Sequence, residues 1–261
     1  MKPMDTPIHV RRSLPLLLSA SGALLCLVGT WGLDAGAAIA QSRRQVQLNL
    51  PGLSAPGNRQ SGSTRSESCL PEGESIVALM PTTNYGLTAA AYPTFFFYLP
   101  DTTAEVAQFV IYNEATLDVV YEGTFAIQGE PGIVSVSLPD NGLQKALTEE
   151  ESYFWYFSVV CDQEDPSASI VVEGTVARVA PSAALATALT TAPAAALPEL
   201  YAEAGLWHDA LAAAVPTAPS DDGETWAALL AAVDLNDLTD RPILSSGLET
   251  VGESAPEVEE R

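Results

Sequence analysis

From Cys69 to Ala180 the chain repeats one pattern that few folds accept: apolar and aromatic residues on every second position, in short runs bounded by Pro, Gly, Asn and Asp. Side chains of an extended chain alternate between two faces, so this period belongs to β-strands and not to helices. The clearest run is Tyr153-Phe154-Trp155-Tyr156-Phe157-Ser158-Val159-Val160-Cys161. Its odd positions, Tyr153, Trp155, Phe157 and Val159, are assigned to a core. Phe95, Phe97 and Leu99 form a matching inward set, as do Val134, Val136 and Leu138 opposite Ser135 and Ser137, with Phe109 and Ile111 completing it. The spacing predicts strands over Ile76–Met80, Thr94–Leu99, Gln108–Asn113, Val119–Ile127, Ile133–Leu138, Tyr153–Val160 and Ser169–Val179. Seven short strands with frequent turn signals, and no helical run long enough for βαβ units, predict a mainly β protein: an antiparallel sandwich of immunoglobulin or fibronectin type III character over residues 69–180.

The opposite faces of these strands are too apolar for simple exposure. Phe96, Tyr98, Phe154 and Tyr156 all fall outward, where a half-solvated antiparallel sheet should be polar. These four residues are the candidate binding face, since exposed aromatic patches mark ligand or partner sites. The competing expectation is intramolecular: a helical segment carrying Leu206, Trp207, Leu211, Trp226 and Leu229 docks on them.

Flanking segments differ in texture. Residues 181–245 are rich in Ala and Leu and predict helices over Ala183–Thr191, Pro198–Ala204, Leu206–Ala214 and Thr225–Val233. Gly205 turns the second into the third, and Asp222 is a candidate N-cap for the fourth. A single hairpin is too little for a solenoid, so this region reads as a small helical appendage. Residues 246–261 are acidic and punctuated by Gly and Pro, and read as disordered; residues 41–68, with Arg, Gln, Ser, Gly and almost no aromatics, read as a flexible linker.

The first 40 residues carry Arg11-Arg12, an apolar stretch from Leu14 to Thr30, and Ala38-Ile39-Ala40 before Gln41. That order of basic, apolar and small residues is that of a cleaved secretory signal. A retained anchor is the alternative, against which stand Pro15, Gly22, Gly29, Gly32, Asp34 and Gly36. The expected location is periplasmic or extracellular, without a stable membrane span after cleavage. Cys26 leaves with the leader, so Cys69 and Cys161 are expected to form one disulfide, two free buried thiols being the alternative.

Charge excludes one class of partner. From Glu67 onward there are 31 acidic residues against Lys145, Arg178, Arg241 and Arg261. A body of that sign repels phosphate backbones, so no nucleic-acid partner is expected.

Several segments together resemble a known family: Pro81–Thr88, Pro93–Pro100, Pro131–Pro139, Trp155-Tyr156-Phe157-Ser158 with Cys161-Asp162, Val172–Val179, and Leu200–Glu203 with Gly205–Leu211. Over roughly residues 69–240 the chain is similar to the cyanobacterial secreted family catalogued as domain of unknown function nine-two-eight. The resemblance implies export and a sandwich and helices forming one unit. It implies no activity and transfers no functional residue. Thr175 stands where an aromatic is expected.

Catalytic patterns are missing. Once the leader is removed His208 is the sole histidine, and it reads as a helix-surface residue. There is no Gly-x-Ser-x-Gly elbow, and Gly129-Glu130-Pro131-Gly132 is a turn rather than a phosphate loop. Glu149-Glu150-Glu151 and the Asp162–Asp165 turn gather carboxylates, which a glycosidase needs as a spaced pair. Asp162, Glu164 and Asp165 are the candidate calcium ligands, a plain acidic turn being the alternative; no other cofactor is expected. The reading is a non-catalytic exported binding or structural module recognising a protein or surface polysaccharide. An accessory factor for secretion or assembly of a larger exported protein, with the hairpin as its peptide-binding element, is the second reading. A glycoside-acting enzyme is the third.

Overall fold

A computed structural model describes residues 46–62, 69–217 and 223–254. The leader read over residues 1–40, Asp222 as an N-cap and the end of the acidic tail lie outside them. The strands are β1 Val77–Ala78, β2 Tyr85–Thr88, β3 Thr94–Leu99, β4 Val106–Asn113, β5 Val119–Ile127, β6 Gly132–Ser137, β7 Glu151–Val160, β8 Ile170–Arg178 and β9 Leu248–Ser254; the helices are α1 Ala183–Thr191, α2 Leu197–Glu203, α3 Trp207–Ala213 and α4 Glu224–Ala232. The protein is mainly β. A three-stranded sheet in the order β1-β3-β6 faces a six-stranded sheet in the order β2-β8-β7-β4-β5-β9.

The alternation places the core as expected. Tyr153, Trp155, Phe157 and Val159 are buried, as are Phe95, Phe97, Phe109, Ile111, Val134 and Val136, while Ser135 and Ser137 are exposed. Rings from the two sheets interlock between the layers: Phe97 stacks on Phe157 with centroids 4.0 Å apart, and Phe95 meets Phe109 at 4.9 Å. Such aromatic pairs add about 0.5–1.5 kcal/mol each beyond the area they bury.

One strand breaks the antiparallel expectation. β2 pairs in parallel with β8, Tyr85 opposite Thr175 and Thr88 opposite Arg178. The chain leaves β1 in one sheet and enters β2 in the other through a turn at Pro81–Asn84, where Asn84 N–H donates to Pro81 O at 2.9 Å and Asn84 takes φ 55°. A strand that changes sheets on the same heading arrives parallel to its new neighbour. β2 is too short, and too rich in turn residues at its start, to show as a strand in the period.

Parts of the two segments read as disordered, residues 46–62 and Leu248–Ser254, are instead ordered parts of the body. Within residues 46–62, Val46, Leu48 and Leu50 pack on the core, and Asn49 N–H donates to Ala202 O at 3.1 Å. Farther along, Glu173 N–H donates to Asn58 O, Ser61 N–H to Ile76 O, and Gln60 bridges Val77. This strap therefore runs from the helices along the edge of the larger sheet to β1 of the smaller one. Arg59 fastens it by donating from Nη1 to Met80 O and Val233 O, both at 2.7 Å. At the opposite seam, Ile243 bridges Ile133 of β6 and the chain then continues into β9 on β5. Each strap spends backbone donors and acceptors that open sheet edges would leave unpaired. Two or three alternating residues beside a Gly- and Ser-rich run are too little signal to distinguish this from a linker.

Within the helical region α3 and α4 are likewise no appendage, since Trp207, Ala210, Leu211, Trp226, Leu229 and Leu230 belong to the same apolar cluster as the sheets, whereas α1 buries no residue. α3 fills the opening between β2 and β3, and Trp207 Nε1 donates to Leu79 O at 2.8 Å. Cys69 and Cys161 are joined in a disulfide, Cα atoms 5.2 Å apart, tying the segment that precedes β1 to the end of β7.

Candidate functional site

The four residues proposed as one binding face are divided between two surfaces. β3 belongs to the smaller sheet and β7 to the larger, so Phe96 and Tyr98 face away from Phe154 and Tyr156. Phe96 is buried beneath α4, its ring 5.5 Å from that of Trp226 in an edge-to-face contact. Tyr98 is buried beneath Arg241, whose guanidinium carbon lies 5.0 Å from the ring centroid. Burial pushes the Tyr98 phenol up, and Arg241 opposes the shift. Docking by a helix thus holds for Trp226 on Phe96, while Trp207 and Leu211 of the hairpin are occupied at the sandwich opening.

Phe154 and Tyr156 stay half-exposed on the outer face of the larger sheet. Register builds the rest of this surface. Tyr112 lies opposite Phe154, and Val110 opposite Tyr156. Glu122 flanks Val110 on one side, and Glu173 flanks Tyr156 on the other. Outward positions thus form two adjacent cross-strand rows: Glu122, Val110, Tyr156 and Glu173, then Tyr112 and Phe154, with Thr175 buried beyond Phe154. Side chains paired in this way sit roughly 4.5–5.5 Å apart at Cβ, close enough to act as one patch. Tyr112 and Tyr156 meet edge to face, centroids 6.0 Å apart and planes at 80°. Burial raises the Tyr156 phenol, reinforced by Glu173 and Tyr112, so the hydroxyl stays protonated and can donate. Tyr112 was absent from the sequence-based face because a single Tyr near the end of a strand carries no pairing information.

The acidic turns serve the backbone. Asp162 Oδ1 accepts from Glu164 N–H at 2.8 Å, and Asp165 Oδ1 accepts from Ser167 N–H at 3.1 Å and Ser167 Oγ at 2.6 Å. These are self-capping loop carboxylates. Among the described residues no group of three or more His, Cys, Asp or Glu is placed to hold a metal ion, so the calcium candidate Asp162, Glu164 and Asp165 is not gathered into a site. The other cluster is used similarly: Glu149 pairs with Arg178 at 3.3 Å, Glu150 Oε1 accepts from Ala180 N–H at 3.3 Å, and Glu151 Oε2 accepts from Asn113 Nδ2 at 2.7 Å and Tyr153 OH at 2.9 Å.

His208 corrects the surface reading outright. It is buried on the inner side of α3, its ring against Phe95 and its Nε2 without a hydrogen-bond partner. Burial lowers its pKa to about 4, opposed by a hydrogen bond with the Thr94 backbone. An imidazole enclosed by apolar side chains presents no base to a ligand in solvent. Helical periodicity over α3 would place positions 207, 210 and 211 on one face, but His208 at its border can be assigned only once β2 is known to lie beneath.

Residues 60–243 match the family described as Domain of Unknown Function (DUF928). No curated protein and no solved structure matches the chain.

Proposed function

The chain belongs to the DUF928 family, and we propose that it is an exported, non-catalytic binding or structural module recognising a protein or surface polysaccharide through the outer face of its larger sheet. The observation that carries this reading is the contrast between the two outer faces. On the smaller sheet the aromatics are sealed by Trp226 and Arg241. On the larger sheet Tyr112, Phe154 and Tyr156 remain half-exposed beside one another. Aromatic side chains left partly in water at one contiguous place are the usual anchors of an interface. A disulfide suits an oxidising compartment outside the cytoplasm, and no helix among the described residues is long and apolar enough to cross a membrane. The strand order supports an immunoglobulin- or fibronectin-III-like reading of the body, with β2 joining β8 as an added parallel edge.

The accessory-factor reading placed peptide binding on the α2–α3 hairpin. The apolar side chains of that hairpin, Trp207 and Leu211 above all, are engaged in the core, so the sheet face is the better-supported surface. The test is retention of the full chain on immobilised cell-envelope polysaccharide and on purified surface proteins, compared with the Phe154→Ala/Tyr156→Ala variant. Loss of retention in a variant with unchanged thermal unfolding is the expected result. Equal retention of the two proteins removes the face from consideration.

A further inference from the structure

The chemistry of the open face selects a class of ligand. The row Glu122, Val110, Tyr156, Glu173 puts a carboxylate on either side of a phenol ring, with Ser254 of β9 opposite Glu122 on its far side. Glu122 is exposed and Glu173 half-exposed, and neither is ion-paired among the described residues. The flanking rows present Tyr112 and Phe154 on one side, where Thr175 is buried, and Gln108, Thr124, Ser158 and Val171 on the other. None of these is Lys or Arg, so the patch combines aromatic faces with negative charge only, on a body whose net charge is also strongly negative. A cation gains from all three: ring quadrupole, carboxylate hydrogen bonds and long-range field. The molecule already uses the same recognition once, where Arg241 lies over Tyr98 on the other sheet. A stack of sugar rings fits less well, because Tyr112 and Tyr156 stand at 80° to each other and form no continuous flat platform.

We propose that this face binds a polypeptide segment bearing guanidinium or ammonium groups, an Arg- or Lys-containing stretch whose cation sits over Tyr156 between Glu122 and Glu173. The proposal rests on the reading of this face as the binding surface and names its ligand class.

The test is titration of the full chain at low and physiological salt with a (Gly-Arg)6 peptide, with (Gly-Ser)6 and cellohexaose as comparison probes. Binding of (Gly-Arg)6 is expected to weaken at least about tenfold in Glu122→Gln/Glu173→Gln and in Tyr156→Ala. It should change less than about twofold in Asp162→Asn/Glu164→Gln, which removes the same charge from a distant turn. Equal losses in the two carboxylate pairs would mean unspecific attraction to an acidic surface and overturn the proposal. So would the absence of (Gly-Arg)6 binding. Binding of cellohexaose that is lost in Tyr156→Ala, without peptide binding, would overturn the ligand class and leave the face standing. If no probe depends on Tyr156, the proposal fails together with the assignment of the face.

Discussion

The imidazole of His208 lies edge-on against the ring of Phe95, centroids 4.8 Å apart and planes at 61°, with the Gly86 backbone close behind it. A helix residue thereby reaches past the edge strand of one sheet to touch the inner face of the other. That contact makes α3 a structural member of the β body and sets several measurable properties.

The first is acid sensitivity. His208 titrates near 4 in the folded protein against an ordinary 6.5, so between those values the unfolded chain binds the extra proton. Its contribution is fully present above pH 6.5 and is lost as pH falls towards 4, at most about 3 kcal/mol. Asp209 opposes this: burial raises its carboxyl, against hydrogen bonds from Ala89 and neighbouring groups, so its effect on stability falls as pH rises above the ordinary carboxylate range. Urea midpoints of the wild type should drop between pH 7 and 5, and the drop should shrink in His208→Phe. An unchanged pH slope in that variant would refute the assignment.

Gly86 leaves the room that His208 occupies. A Cβ there would fall 2.6 Å from His208 Nε2, so Gly86→Ala should cost about 1–3 kcal/mol. In the His208→Ala background the same change should cost markedly less, because the clashing atoms are gone. Four denaturation curves measure the coupling, and strict additivity would show that the two residues do not touch.

Arg59 tests whether residues 46–62 form a strap or a loose leader. Its guanidinium serves two backbone carbonyls, Met80 O and Val233 O. Arg59→Ala should therefore lower stability by about 1–3 kcal/mol, whereas an arginine in a solvated linker is worth almost nothing. Hydrogen exchange at Ala78, which donates to Arg59 O, should accelerate in the same variant.

The disulfide closes a loop of 92 residues in sequence separation. Reduction, or Cys69→Ser/Cys161→Ser, should lower stability by about 4–5 kcal/mol on the chain-entropy account. Chemical denaturation with and without reductant measures it, and the serine variant should show no further response to reductant.

Much of this molecule is written in local pattern. The inward set from Phe95 to Val159, the seven strands first expected, the four helices and the Cys69–Cys161 pair all follow from period, turn chemistry and cysteine count, because a side chain's face is fixed by its place in a strand or helix. Tertiary structure alone settles what lies above each face. Phe96 and Phe154 sit in equally aromatic runs, yet one is buried under Trp226 and the other is half in water, because sheet membership depends on pairing between distant strands. Likewise His208 is buried and residues 46–62 are ordered only because β2 crosses to the larger sheet and exposes an edge and an opening that must be covered. Non-local pairing carries no short-range signature, and the candidate site is a product of such pairing.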